Sequence, residues 1–369
     1  IDPLVEAAWE ARGTGSMAPF ARLPGMYVPA QGPHSTARVL VRDLDRIPID
    51  TQIFTDQTEF GALALVEIGR GCPYGCRFCV ASHVYRPARW RSIPALLPVI
   101  ERGLQHRKRI GLLGASVTDH PQILDLCDTI LAHGGLLSLA SMRAGALTPE
   151  LLGLLTRGHV QTITLAPEAG TERLRREAGK RLTDEELLLA AVRAKQAGLS
   201  GMKLYFIAGL PGETVDDIAA IPALVERVIR ETRLHISVGC SVFVPKPGTP
   251  FARQAMIPER EARRRIDSIR RGLHGQAKLS AESPRWSYWQ AVLARGGREL
   301  AAPLDAIARG ADTPAQWAAI FQEFGIDADA YALREFTADE PLPWAHIGEQ
   351  RCTYADFLAH DESNGEEMV

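Results

Sequence analysis

From Ala62 to about Phe251 short apolar runs alternate with longer stretches of helical period, the pattern of repeated βα units around a parallel sheet. The predicted strands are Ala62–Gly69, Ile110–Gly114, Leu136–Ala140, Thr162–Ala166, Met202–Ala208 and His235–Phe243, and their near-continuous apolarity predicts burial on both faces. Helix starts lie between them. Ser92 precedes a run to Leu104, Thr148-Pro149 opens a helix ending at Gly158, and Thr183-Asp184-Glu185-Glu186 is a capping box before Leu187–Lys195, closed by Gly198. Residues 1–60 are irregular and punctuated by proline, which reads as a connecting segment. After Pro258 the alternation stops, and helices are expected at Glu259–Leu273, Pro284–Arg295 and Pro314–Glu323. Three regions follow: a linker over 1–60, an α/β domain over 61–256 and a helical extension over 257–369.

Composition narrows the function classes. The 369 residues carry 42 Lys+Arg against 44 Asp+Glu, a net charge of −2, so no global positive field favours nucleic acid or acidic membranes. The longest apolar runs, such as Ala62 to Val66, fall far short of the roughly 18 residues that span a bilayer. The basic run Arg263–Arg265, with Arg270 and Arg271, alternates with acids on one predicted helix and reads as a solvated face, so no nucleic-acid partner is expected. Six cysteines are too few for a disulfide scaffold, nothing reads as a secretory signal, and the expected compartment is the reducing cytoplasm. Cys127, Cys240 and Cys352 stand alone and read as small buried hydrophobes.

The other three crowd into Gly71-Cys72-Pro73-Tyr74-Gly75-Cys76-Arg77-Phe78-Cys79, directly after the first strand. Three thiolates on one short loop can hold three irons of a four-iron cluster and leave the fourth iron open to a small molecule. The competing reading is a three-cysteine zinc knuckle serving a binding module, with His83 as a conceivable fourth ligand. Structural zinc usually clamps two separate segments, whereas here one loop holds every thiol.

The thiol spacing, the aromatic Phe78 before the last Cys and the position after the first of six βα units resemble the radical S-adenosylmethionine (SAM) superfamily. The resemblance implies a partial (βα)6 TIM-like barrel with a helical C-terminal extension. It implies a [4Fe–4S] cluster on Cys72, Cys76 and Cys79, SAM chelating the open iron, and an electron donor such as flavodoxin or ferredoxin. Reductive cleavage of SAM would then give a 5′-deoxyadenosyl radical that acts on a substrate the sequence does not name. In such barrels the strand ends supply the site. Gly114 and Ser116 end strand two, where the family often carries a Gly-Gly-Glu-like run; this sequence lacks that acid. Ser141 and Arg143 end strand three, Glu168 strand four, Gly209 strand five and Pro245 strand six. With Phe78 these are the expected SAM contacts, Glu168 accepting from ribose hydroxyls or an ammonium and Arg143 pairing with a carboxylate in a fork. For Gly212 and Thr214 an ordinary turn and cap are equally good readings.

Pro24-Gly25-Met26-Tyr27-Val28-Pro29, Glu59-Phe60-Gly61, Ser283-Pro284-Arg285-Trp286-Ser287-Tyr288-Trp289-Gln290 and Leu342-Pro343-Trp344 resemble a branch in which a cobalamin-binding domain precedes the barrel. That resemblance implies cobalamin as a further cofactor, held by a domain outside these residues, and methyl transfer as one net reaction. The absence of an initiator Met fits that expectation, and the Asp-x-His-x-x-Gly signature of a corrinoid site is absent from the 369 residues. Trp286, Trp289 and Leu293 share one helical face, expected to dock the extension onto the barrel.

Overall fold

The computed structural model describes residues 2–32, 34–47, 49–140 and 142–353. The chain divides into two compact units, one of residues 45–338 and one of residues 1–44 with 339–369. In the smaller unit a helix spans Asp2–Ala11, and strand Thr36–Leu40 pairs in parallel with Ile347–Thr353.

The larger unit carries the predicted alternation. Its strands are β1 (Leu63–Glu67), β2 (Arg109–Leu113), β3 (Leu136–Leu139), β4 (Thr162–Glu168), β5 (Gly201–Ala208), β6 (His235–Val242) and β7 (Lys278–Ala281). Parallel ladders run β1-β2-β3 and β4-β5-β6-β7. The two are joined where the Met142 amide donates to the Thr164 carbonyl at 2.8 Å. No ladder joins β7 to β1 among the described residues, so the barrel is open. Strand β7 lies inside the stretch expected to be mostly helical; four residues with two polar positions are too short to register as a buried strand.

The helices are α1 (Ile93–Leu104), α2 (Ile123–Ala132), α3 (Pro149–Arg157), α4 (Asp184–Gln196), α5 (Val215–Thr232), α6 (Glu259–Gly272) and α7 (Pro284–Arg295), and α1, α3, α4 and α5 start where a side chain satisfies a free amide. Ser92, Thr148 and Thr183 accept from the amides of Ala95, Leu151 and Glu186, and Glu186 reaches back to complete the capping box on Thr183. Thr214 caps α5 in the same way, with Asp217 as its partner.

Ala64, Val66, Ile110, Leu112, Leu137, Ile163, Leu165, Met202, Leu204, Phe206, Ile236 and Val238 form one continuous buried layer with the helices. The opposite, interior face of the strands is different. Thr164, Lys203, Ser237 and Ser241 are only half-buried and Tyr205 is exposed, so burial on both faces, expected from apolarity, holds for one face only. An open barrel of this kind leaves its lumen to water, and polar side chains can line it without a desolvation cost.

In the extension Trp289 is buried against Trp317 and Phe321, while Trp286 meets Trp317 edge-on and stays 42% exposed. The arginines of α6 are paired with acids: Arg263 with Glu259, Arg265 with Glu261 and Glu213, and Arg270 with Asp267. No helix among the described residues is long and apolar enough to cross a membrane.

Leu204 is fully buried in β5, so Leu204→Ala should lower unfolding free energy by about 2–5 kcal/mol. Thr183→Ala removes only a cap and should cost about 1 kcal/mol. Urea denaturation of the two variants reads the contrast, and equal losses would contradict it.

Candidate functional site

The thiol loop leaves β1 through a short antiparallel pair, Gly69–Arg70 with Arg89–Trp90. Gly71 has φ +79°, and a Cβ there would lie 2.3 Å from the Tyr85 carbonyl oxygen, so only glycine admits this turn. Cys79 then precedes a single helical turn, Val80–His83. The Arg77 amide donates to the Ala178 carbonyl at 2.8 Å, and the Phe251 amide to the Arg77 carbonyl at 3.1 Å. The Arg77 guanidinium lies 4.6 Å over the Phe251 ring. Phe78 packs against the apolar cluster of Ala169, Leu174, Ala178, Leu210, Phe243 and Phe251, which places it as an anchor of the loop.

The support beneath the loop is the end of a short helix, Glu172–Glu177, after β4. Gly179 donates to the Arg176 carbonyl and Lys180 to the Arg175 carbonyl, at 2.9 and 2.7 Å, a Schellman ending with Gly179 at φ +76°. A Cβ on Gly179 would stand 2.5 Å from the Gly75 carbonyl oxygen. Arg175 is fully buried, and its guanidinium donates to the Ala169, Gly170 and Leu182 carbonyls and to Asp184. It ties the exit of β4 to the start of α4, and nothing in its sequence context marks it.

Cys72 is buried; Cys76 and Cys79 are half-buried. Burial pushes the Cys72 thiol above its ordinary pKa, and pushes Cys76 up to about 11, with the neighbouring thiols adding to the rise. Ser82 Oγ is buried beside Cys72, and its hydrogen bond to that thiol opposes the rise. Among the described residues no three His, Cys, Asp or Glu side chains converge closely enough to hold one metal ion. His83, the conceivable fourth zinc ligand, turns Nε2 to the Cys76 carbonyl at 3.0 Å. Three thiols that need compensating positive charge, all on one loop, fit a multi-iron cluster better than a tetrahedral zinc knuckle, which clamps two separate segments.

Two charged corners flank the loop. At the first, the Arg143 guanidinium lies 3.5 Å over the Tyr74 ring and pairs with Asp119 at 3.1 Å. Tyr74 and Ser116 also donate to Asp119. Asp119 is pushed up by burial, which the Ser116 hydroxyl opposes, and Arg143 is pushed down by burial and held up by the charge of Cys72. An acid therefore does reach the exit of β2. Sequence reading missed it because it sits five residues past Gly114, behind a 3₁₀ turn over Val117–Asp119, rather than in a Gly-Gly-Glu-like run.

At the second corner Glu168, at φ +73° on an irregularity at the end of β4, accepts from Lys180 at 3.4 Å. Burial pushes Glu168 up while Lys180 pulls it down, and both act on Cys76 with opposite sign. Arg143 and Glu168 are thus brought beside different thiols. The Gly209 amide donates to Glu213 at 2.7 Å, and Pro245 is buried. Ser141 lies outside the described residues.

The Gly179 contact generates a prediction. Gly179→Ala must displace the Gly75 carbonyl, so loop geometry and metal uptake should fail together; Gly198→Ala, with a comparable φ of +90° but nothing within 4 Å, carries the backbone cost alone. Iron content after anaerobic reconstitution tests this, and equal iron in the two variants would contradict it.

The Radical SAM superfamily model matches residues 66–225. An uncharacterized protein of Methanocaldococcus jannaschii is 33% identical over 265 residues, 71% of this chain and 58% of that protein. A tRNA-2-methylthio-N(6)-dimethylallyladenosine synthase of Acidithiobacillus ferrooxidans is 27% identical over 247 residues, 60% of this chain and 52% of the synthase. The chain spans about half the length of the curated relatives it matches. Among solved structures, methylornithine synthase PylB aligns with TM-score 0.44 and 12% identity over 83% of each chain. The cobalamin-dependent enzyme OxsB aligns with TM-score 0.43 and 14% identity over 71% of this chain and 45% of OxsB. Taken with the thiol loop on the rim of an open parallel barrel, the match assigns residues 66–225 of the chain to the radical SAM superfamily.

Proposed function

We propose that Cys72, Cys76 and Cys79 hold a [4Fe–4S] cluster and that the enzyme cleaves SAM reductively to modify a substrate. The observation that carries this reading is the loop itself: three thiols, no fourth, between an Arg–Asp corner and a Glu–Lys corner. Held by these three thiolates, a cluster reduced by the electron donor would supply one-electron chemistry for reductive cleavage of SAM, the source of the radical that would activate the substrate. Arg143 holds the carboxylate of SAM, with Tyr74 beneath its guanidinium fixing the plane of the fork. Asp119, with Ser116, accepts from the ammonium group, and Glu168 from the ribose hydroxyls. Gly114, Ser141, Gly209 and Pro245 complete the rim around the adenosyl group, and Phe78 contributes by fixing the loop. Flavodoxin or ferredoxin would deliver the electron.

For the net reaction we propose methyl transfer with cobalamin supplied from outside residues 1–369. It is supported by the sequence phrases shared with the cobalamin-associated branch and by 26% identity over 193 residues to an uncharacterized methyltransferase of Pyrococcus horikoshii, 50% of this chain and 42% of that protein. The rival reading is a zinc-binding module. A brown protein with iron and acid-labile sulfide supports the enzyme; a colourless one with about one zinc supports the module.

Anaerobic reconstitution should give about four irons per chain, and Cys76→Ala should abolish both colour and 5′-deoxyadenosine formation. About eight irons would require a second cluster site. Glu168→Ala should keep its iron and weaken SAM binding by about 1–3 kcal/mol, the worth of a hydrogen bond to a charged group. Unchanged affinity on equilibrium dialysis would make Glu168 a structural residue.

A further inference from the structure

The interior face of β4–β7 has a composition that a packed barrel would not tolerate. In register across four adjacent strands stand Thr164, Lys203, Ser237 and Lys278. One pleat nearer the rim Tyr205, Gly239 and Ser280 follow. These side chains point into the lumen, because the alternate positions Leu204, Val238 and Leu279 pack in the helix-side core and a Cβ on Gly239 would strike the Tyr205 ring at 2.5 Å. Tyr205, in the middle of a strand paired on both edges, is 36% exposed, which requires open space before it.

Among the described residues neither Lys203 nor Lys278 has a carboxylate within 4.0 Å. The contact Lys203 makes is with the Tyr205 ring, 4.6 Å from its centroid, which orients the ammonium without neutralising it. The other charged groups of this face are engaged or distant in register. Glu67 is held by Arg70 and Arg91, Arg109 donates to the Leu137 carbonyl, and Glu282, past the end of β7, faces Lys246 at the rim. Lysines two strands apart stand roughly 10 Å from each other, a span that one anionic group and its hydration bridge, with Ser237 between them.

We propose that this layer is the anion-binding subsite for the substrate, which is a small molecule carrying a carboxylate or phosphate that Lys203 and Lys278 hold while its reactive carbon faces the rim. The inference rests on the radical SAM reading for what happens at the rim, but its readout is anion binding and not SAM cleavage. Ligand-observed NMR with the intact chain should detect saturable binding of malonate or of inorganic phosphate, and the preferred probe identifies the anionic group. Lys203→Met and Lys278→Met should each weaken that binding at least about tenfold, and Lys203→Arg should restore most of it. Iron content equal to wild type shows that the variants fold, and Lys278→Met, on the edge strand, carries the test if Lys203→Met does not. Unchanged affinity in the folded variants would overturn the proposal. So would no binding of either anion, glucosamine binding in their place, or a short RNA oligomer alone binding through Lys203. Loss of SAM cleavage with anion binding intact would count against the rim chemistry and not against this subsite.

Discussion

The site depends on one backbone contact: the carbonyl of Gly75 lies where any side chain at residue 179 would have to be. The thiol loop has no regular structure of its own, so its shape is imposed from outside, and the imposing surface is the Schellman turn that ends the helix after β4. That turn is fixed in turn by Arg175, whose buried guanidinium binds three carbonyls and a carboxylate on both sides of it. Such a cation is costly to bury unless every donor direction is used, which is why it can specify one arrangement of the β4 exit. Through this chain of contacts the position of the thiols is set by the same strand that presents Glu168.

The charges around the loop make sense only together. Burial alone disfavours thiolate at Cys72 and Cys76, and two adjacent thiolates disfavour each other. Arg143 works against this at Cys72 and Lys180 at Cys76. Each cation is also shared with a carboxylate, Asp119 and Glu168, so neither corner carries a bare charge that would collapse onto the loop. Positive metal bound by the thiols would release Arg143 and Lys180 from part of that duty and leave Arg143 and Glu168 able to meet a zwitterion.

How much of this was legible in the sequence varies with the range of the interaction. Six of the seven barrel strands and the caps at Ser92, Thr148 and Thr183 follow from local patterns, because a helix-facing layer and a free amide each leave a short-range signature. The thiol loop was legible because all its donors are consecutive. Asp119 was not, since a 3₁₀ turn delivers it from outside the expected run. Arg175 was not, because it makes its contacts through tertiary closure and resembles any other arginine of the Glu172–Glu177 helix. The strand Lys278–Ala281 carries too few apolar positions to signal a strand, and its place is set by pairing with β6.

The polar lumen escaped the sequence for a related reason. Lys203 and Tyr205 sit inside a strand whose other residues are strongly apolar, and apolarity averaged along a strand hides which face is wet. A closed barrel would force those two residues out of the interior, since an unpaired ammonium among packed side chains would lose its hydration. Without a ladder between β7 and β1 the lumen stays hydrated, and the lysine is tolerated at no such cost. The opening that weakens the barrel as a core is thus what allows charge at its centre. The strand that carries this charge, β5, runs beside β4, whose exit supports the thiol loop, so the charged lumen adjoins the strand on which the loop rests.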